Sequence, residues 1–231
     1  MFDAIQSAVD LILKGGPVML PIFLFSLGAM TIIFERLYYF HKRRENPEQL
    51  FNAVHSLISR GQCDQSLEVC KEHPGPVGRL LETGIQNRHV SEKKLEELLD
   101  LSAQSELKKM GKYTRALEVI ATVSPLMGLL GTVIGMVQAF NKVAEYSGQV
   151  EPSLLAGGIW VALLTTAAGL AVAIPASIMS HYFDQKIEAA SASLSQFGQK
   201  LIHALEEAPF RPANGKPSHR PETPQLAHAS R

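Results

Sequence analysis

The chain has 231 residues, 46% of them hydrophobic, and 22 basic side chains offset 22 acidic ones to a formal net charge of zero. That length allows one or two domains, and the even charge gives no reason to expect nucleic acid as a partner. The apolar residues are gathered into three uncharged runs, 18–34, 119–140 and 154–180, which excludes an evenly spread soluble core and predicts an all-α integral membrane protein.

Residues 1–16, opening with MFDAIQSAVDL, read as a short amphipathic segment on the outer membrane surface, broken by Gly15-Gly16-Pro17. They are not expected to be a cleaved signal peptide. Only Lys14 is basic ahead of the apolar run, Asp3 and Asp10 lie upstream, and the basic cluster comes after the run. Residues 17–38 form the first predicted span. Its uncharged stretch of 17 residues sits at the edge of the roughly 20 that a membrane helix needs. FERLYYF (34–40) then puts aromatic rings at headgroup level, and HKRRE (41–45) puts Lys42, Arg43 and Arg44 on the cytoplasmic side.

Residues 39–117 read as a cytoplasmic helical domain. Asn46-Pro47 starts a helix that Gly61 ends, and QCDQSLEVCKEH and PVGRLLETGIQNR give two more, separated by Pro74-Gly75-Pro76. Cys63, Cys70 and His73 have the spacing C-x6-C-x2-H, which matches no common zinc knuckle and lacks an obvious fourth ligand. Two reduced, buried thiols on one helix face are the expectation, with no metal. Ser91 caps a helix beginning EKKLEELLDL that meets no breaker before Pro125, Gly111 only weakening it. That helix is expected to run uninterrupted into the second span, residues 118–141, as a rod on the order of 70 Å.

Residues 142–153 form a short periplasmic loop and 154–180 the third span, which should continue as a cytoplasmic helical extension over 181–208. There Ile187, Ala190, Leu194, Phe197, Leu201 and Ala204 recur at 3-4-3-4-3, a coiled-coil-like seam for the chain's own long helix or for an oligomer. The tail, 209–231, is rich in Pro and polar residues and is expected to be disordered. Thirteen Lys and Arg lie in 39–118, one in 141–153, six after residue 180 and one ahead of the first span. The positive-inside rule therefore puts the N-terminus and the 142–153 loop outside and the C-terminus inside, as three spans require.

Two stripes of small or hydroxylated residues mark the last two spans. Ser124, Gly128, Thr132, Gly135 and Ala139 recur at 4, 4, 3 and 4; Ala162, Thr166, Gly169, Ala173 and Ser177 at 4, 3, 4 and 4. Such stripes let membrane helices approach closely, and on spacing alone packing outweighs a pore. Thr132 and Thr166 both fall near the bilayer middle, where two hydroxyls at matching depth could line a path for protons or small hydrated cations. Pro125 and Pro175 would kink their helices toward the cytoplasmic ends. No G-x-S-x-G, H-E-x-x-H, Walker or dinucleotide motif is present, so no enzyme is expected.

VSPLMGLLGTVIGMVQAF (123–140) and LAGGIWVALLTTAAGLAVAIPA (155–176) resemble, in order, the two span motifs of the TolQ/ExbB/MotA family of proton-channel subunits. KGGPVMLPIFLFSLGAMTIIFERLYYF (14–40) resembles the first span of ExbB-type members. The resemblance implies a homopentamer in a bacterial inner membrane around a single-span partner of the ExbD/TolR kind, whose membrane aspartate carries protons and which passes force to a TonB-like protein. It implies that Thr132 and Thr166 are the ion-path threonines, set in a pore-facing stripe of Ser124, Gly128, Gly135, Ala162, Gly169 and Ala173. No cofactor is implied beyond the conducted protons, a bound phospholipid being the one candidate companion.

One departure stands out. TolQ and ExbB relatives usually carry Glu where this chain has Val161, and an intramembrane carboxylate is by default a functional site. Its loss favours one alternative, a non-conducting scaffold for the partner; a TolQ-like subunit for envelope maintenance is the other, the family motifs being shared by both types. An independent secondary transporter fits less well, because three spans hold neither an inverted repeat nor a broken helix at a midplane site.

Overall fold

The computed structural model of the chain describes residues 16–43, 45–145 and 152–207. The amphipathic segment expected ahead of Gly16, the middle of the 142–153 loop and the tail lie outside them. Among the described residues seven helices follow in order: α1 (Met19–Lys42), α2 (Pro47–Ser59), α3 (Cys63–Glu72), α4 (Pro76–Gln86), α5 (Glu92–Met110), α6 (Thr114–Glu145) and α7 (Pro152–Glu207). Among the described residues there is no strand.

The predicted helix signals act as their chemistry demands. Asn46 Oδ1 accepts the N–H of Gln49 at 3.4 Å and Pro47 occupies the first turn, where its missing N–H costs nothing. Gly61, at φ +75°, ends the α2 turn in the left-handed region open to glycine. Ser91 begins α5 through its extended backbone, its hydroxyl oxygen accepting no capping hydrogen bond from the first turn.

Among the described residues three helices are long and apolar enough to cross a membrane: α1, α6 and the first part of α7. Only 22%, 22% and 28% of the residues in their most apolar windows are buried within the chain. Leu126, Leu129, Val133, Val137 and Phe140 on α6, and Leu163, Leu170, Ile174 and Ile178 on α7, face outward. Surfaces this apolar are stable only against lipid or another chain, so this is a membrane protein.

Beyond the spans, α7 continues as the backbone of a separate helical domain. Its Leu194, Phe197, Leu201 and Leu205 are buried against Val54 and Ile58 of α2, Leu80, Leu81 and Ile85 of α4, and Leu99 of α5. Burying each such side chain stabilises by roughly 1.5–3 kcal/mol. The seam expected from 187 to 204 is therefore filled by the chain's own short helices, with Ile187 and Ala190 at its half-buried end. Closer to the spans, Ala29 and Ile33 of α1 pack with Leu117 of α6 and Ala176 and Phe183 of α7, and the Phe40 ring stacks on Phe183 at 5.6 Å.

The expected single rod from Ser91 through the second span is corrected: α5 and α6 are two helices. Gly111 closes α5 with its N–H on the Leu107 carbonyl at 2.8 Å, and Tyr113 then takes φ +67°. A non-glycine residue there costs roughly 1–2 kcal/mol. A clamp from α1 offsets that cost. Arg36, only 2% exposed, donates from Nη1 to the carbonyls of Lys109 at 3.0 Å and Met110 at 3.2 Å, the last acceptors of α5. A cation at the negative end of a helix, bonded to its orphan carbonyls, stabilises that end. Glu35 pairs with the same guanidinium, which also lies 4.7 Å from the Tyr39 ring centre and 5.6 Å from that of Tyr113.

The carboxylate of Glu106 on α5 gathers three cations. Lys109 Nζ lies at 2.6 Å, Arg79 Nη1 at 3.1 Å and Arg43 Nη1 at 3.7 Å, although Glu106 itself is only 3% exposed. Burial pushes its pKa up, but the hydrogen bonds from Lys109 and Arg79 prevail and hold it below the usual carboxylate value. The stabilisation is therefore complete above the ordinary carboxylate pKa and is lost as pH falls through the lower folded value. Glu106→Gln should melt below the wild type at pH 7 in thermal scans of the detergent-purified protein, with the difference shrinking steadily on acidification. A difference independent of pH would rule out a charge effect.

Candidate functional site between the second and third spans

The two small-residue stripes meet. α6 and α7 run antiparallel, with Ser124 opposite Gly169, Gly128 opposite Thr165 and Thr166, Gly135 opposite Ala162, and Ala139 opposite Gly158. The approach is close enough that side chains are excluded. A Cβ on Gly169 would lie 2.5 Å from the Ser124 carbonyl oxygen, and one on Gly128 would lie 2.9 Å from that of Thr165. Ser124, Ala162 and Ala173 are buried in the same seam. Within the chain, the stripe of Ser124, Gly128, Gly135, Ala162, Gly169 and Ala173 packs span on span, through van der Waals contact, the main attraction open to helices in lipid.

The hydroxyls sort differently from the sequence reading. Thr166 is half-buried and its Oγ1 donates to the Gly128 carbonyl at 3.1 Å. Thr132 stands at the edge of the stripe, half-buried, with its hydroxyl on the Leu129 carbonyl at 2.6 Å; Gly131 holds the seam position instead. Thr165 is fully buried, its Oγ1 2.7 Å from the Ala162 carbonyl and 3.4 Å from that of Gly128. Ala176 likewise occupies the seam where Ser177 was expected. Spacings of 3-4 and 4-3 are equally helical, so the sequence alone did not choose between Thr165 and Thr166. The signal was present as the pair Thr165-Thr166 opposite a glycine run.

Gly128 is the common point. Its carbonyl receives the Thr166 hydroxyl, and helical bonding gives the same oxygen the N–H of Thr132. Thr132 and Thr166 are thereby joined through one peptide group within an apolar wall. Val161 lies one turn from Thr165, half-buried. Neither apolar run, 119–140 or 154–180, holds an Asp, Glu, His, Lys or Arg. A hydroxyl can relay a proton along a hydrogen bond but does not store one near neutral pH, so the wall offers polar contacts without a titrating group. Pro125 and Pro175 both lie inside unbroken helices.

Cys63 and Cys70 are both free and buried, as expected, and lie two turns apart on α3. Burial pushes the Cys70 thiol up to about 12 and raises that of Cys63, so neither offers a thiolate at pH 7. His73 Nδ1 faces the Val69 carbonyl at 2.9 Å.

With this geometry in place, the sequence matches the MotA/TolQ/ExbB proton channel family over residues 72–196, more than half of the chain and including both stripes. The chain belongs to that family. Among ExbB-type relatives it is 33% identical over 173 residues to the ExbB-like 1 biopolymer transport protein of Synechocystis sp., covering 72% of this chain and 66% of that one. It is 33% identical over 145 residues to the biopolymer transport protein exbB1 of Vibrio cholerae, covering 56% and 64%. The ExbB homolog of Methanothermobacter thermautotrophicus is 25% identical over 183 residues, covering 79% and 64%. The chain thus spans just under two thirds of the length of the first of these ExbB-type proteins.

Proposed function

We propose that this ExbB-type chain is an inner-membrane proton-channel subunit. With a single-span partner of the ExbD/TolR kind it would harness the proton motive force to energise TonB-dependent transport across the outer membrane. The observation that carries this reading is the Gly128 carbonyl, which ties Thr166 directly, and Thr132 through the helix, into one polar point in the wall. The proton carrier comes from the partner, because the apolar runs 119–140 and 154–180 hold no ionisable side chain. The outward apolar faces of α6 and α7 suit copies of the chain arranged in a homopentamer around that partner. The basic stretch of residues 39–118 supports a cytoplasmic helical domain and a periplasmic N-terminus.

The test is proton flux in vesicles holding the chain with its partner. Thr166→Val and Thr132→Val keep the volume and remove the hydroxyl. Each should slow flux by about tenfold, equivalent to ~1.4 kcal/mol in a barrier, with assembly unchanged. Wild-type flux in both variants would overturn the reading. A second reading, a non-conducting scaffold for the partner, is favoured by Val161, which brings no carboxylate to the wall. It predicts that vesicles with wild-type chain and partner leave an imposed gradient intact.

A further inference from the structure

Thr165 touches the polar point described above only through a long 3.4 Å bond to the Gly128 carbonyl, yet it is fully buried in the middle of the seam. A Cβ built on Gly131 would meet three atoms of this one residue, Oγ1, Cβ and Cγ2. The whole β-branched group therefore sits over the bare Cα of Gly131. Its rotamer is fixed twice, by β-branching and by the 2.7 Å bond from Oγ1 to the Ala162 carbonyl. It is a rigid knob in a glycine socket.

The neighbouring contacts set how close the helices come but resist rotation poorly. Gly128 and Gly169 meet backbone, and a glycine surface presents nothing to turn against. Thr166 follows Thr165 by about 100° around α7, with its hydroxyl about 4 Å from the helix axis. A rotation of about 20° would therefore carry that hydroxyl roughly 1.4 Å, enough to break its bond to Gly128. We propose that Thr165 is a positioning residue: seated on Gly131, it holds α7 at the rotation where the Thr166 hydroxyl meets the Gly128 carbonyl. Its value for conduction rests on the proton-channel reading; its value for geometry does not.

Two readouts separate those claims, both made on the full chain with its partner in lipid. The first is the carbonyl ¹³C resonance of Gly128 in glycine-labelled protein, with Thr166→Val marking the position of the carbonyl that has lost the Thr166 hydroxyl. Thr165→Val keeps the knob's shape and, at Gly128, removes only the long 3.4 Å bond from the Thr165 hydroxyl, so it should move the resonance much less than Thr166→Val does. Thr165→Ala empties the socket and Gly131→Ala fills it, so each should move the resonance toward that of Thr166→Val. The double variant Gly131→Ala/Thr165→Ala should bring it back part of the way. The second readout is proton flux, which should fall several-fold in Thr165→Ala and Gly131→Ala, hold within about twofold in Thr165→Val, and recover in the double variant. The proposal is overturned if Thr165→Ala and Gly131→Ala leave the resonance unmoved, or if Thr165→Val shifts it as far as Thr166→Val. Should Thr166→Val conduct like wild type, the channel reading falls while the resonance still decides the lock.

Discussion

Gly169→Val is expected to part the second and third spans and abolish assembly of the protein. At this position the nearest atoms a Cβ would meet are all backbone of α6, the Ser124 oxygen at 2.5 Å, the Gly128 Cα at 3.1 Å and the Gly128 nitrogen at 3.2 Å. No side chain there can swing away, so the helices themselves have to shift. Overpacking of this kind costs typically 1–3 kcal/mol, and more when two helices must separate along a long contact. Gly169→Ala should show a smaller loss of the same sign. Gly157 is the matched control, because a Cβ there meets nothing within 4 Å and valine should be tolerated. Thermal melting and oligomer size in detergent read all three variants. Wild-type behaviour of Gly169→Val would mean that the spans do not hold this contact in the membrane.

Much of this arrangement is legible before folding is considered, and the reason is physical. Uncharged runs report spans because charge in hydrocarbon is costly, and Asn46-Pro47 and Gly61 report helix ends because backbone groups must be bonded or bent there. The small stripes are visible for the same kind of reason: only such residues let two backbones meet. Which side of a stripe turns inward is a different matter. A rotation of one residue exchanges Thr166 for Thr165 and Thr132 for Gly131 at no cost in periodicity, and only the partner helix decides it.

The break between α5 and α6 was hidden more deeply. Gly111 is tolerable inside a helix, and no residue near it is a strong breaker. The stabilising partner, Arg36, lies more than seventy residues earlier, in a stretch that reads locally as the basic edge of a span. Local propensity carries no trace of such a contact. The joint therefore depends on an arginine not singled out in the sequence, within the stretch FERLYYF at the end of the first span.

That dependence leads to the second large effect. Arg36→Ala should release the joint, because it strips the Lys109 and Met110 carbonyls of their donor and leaves Glu35 without its guanidinium partner. Leaving buried acceptors unsatisfied costs about 1–3 kcal/mol each, so a net loss of ~3 kcal/mol is expected after water re-solvates what it can reach, while the lost pair with the exposed Glu35 adds little. Arg36→Lys should fall between the two, since a single ammonium lacks the planar fork that lets one side chain serve both helix end and carboxylate. The loss should be local before it is global. Tyr113 is held at φ +67° beside this clamp, and without it the turn at 111–113 should open. Limited trypsin digestion reads that opening directly, through faster cleavage after Lys109 and Lys112 in Arg36→Ala than in wild type, at temperatures well below the melting transition. Equal cleavage rates together with an equal melting temperature would show that the turn holds its shape without Arg36. Faster cleavage would instead identify this joint as the place where the helical domain is fastened to the second span.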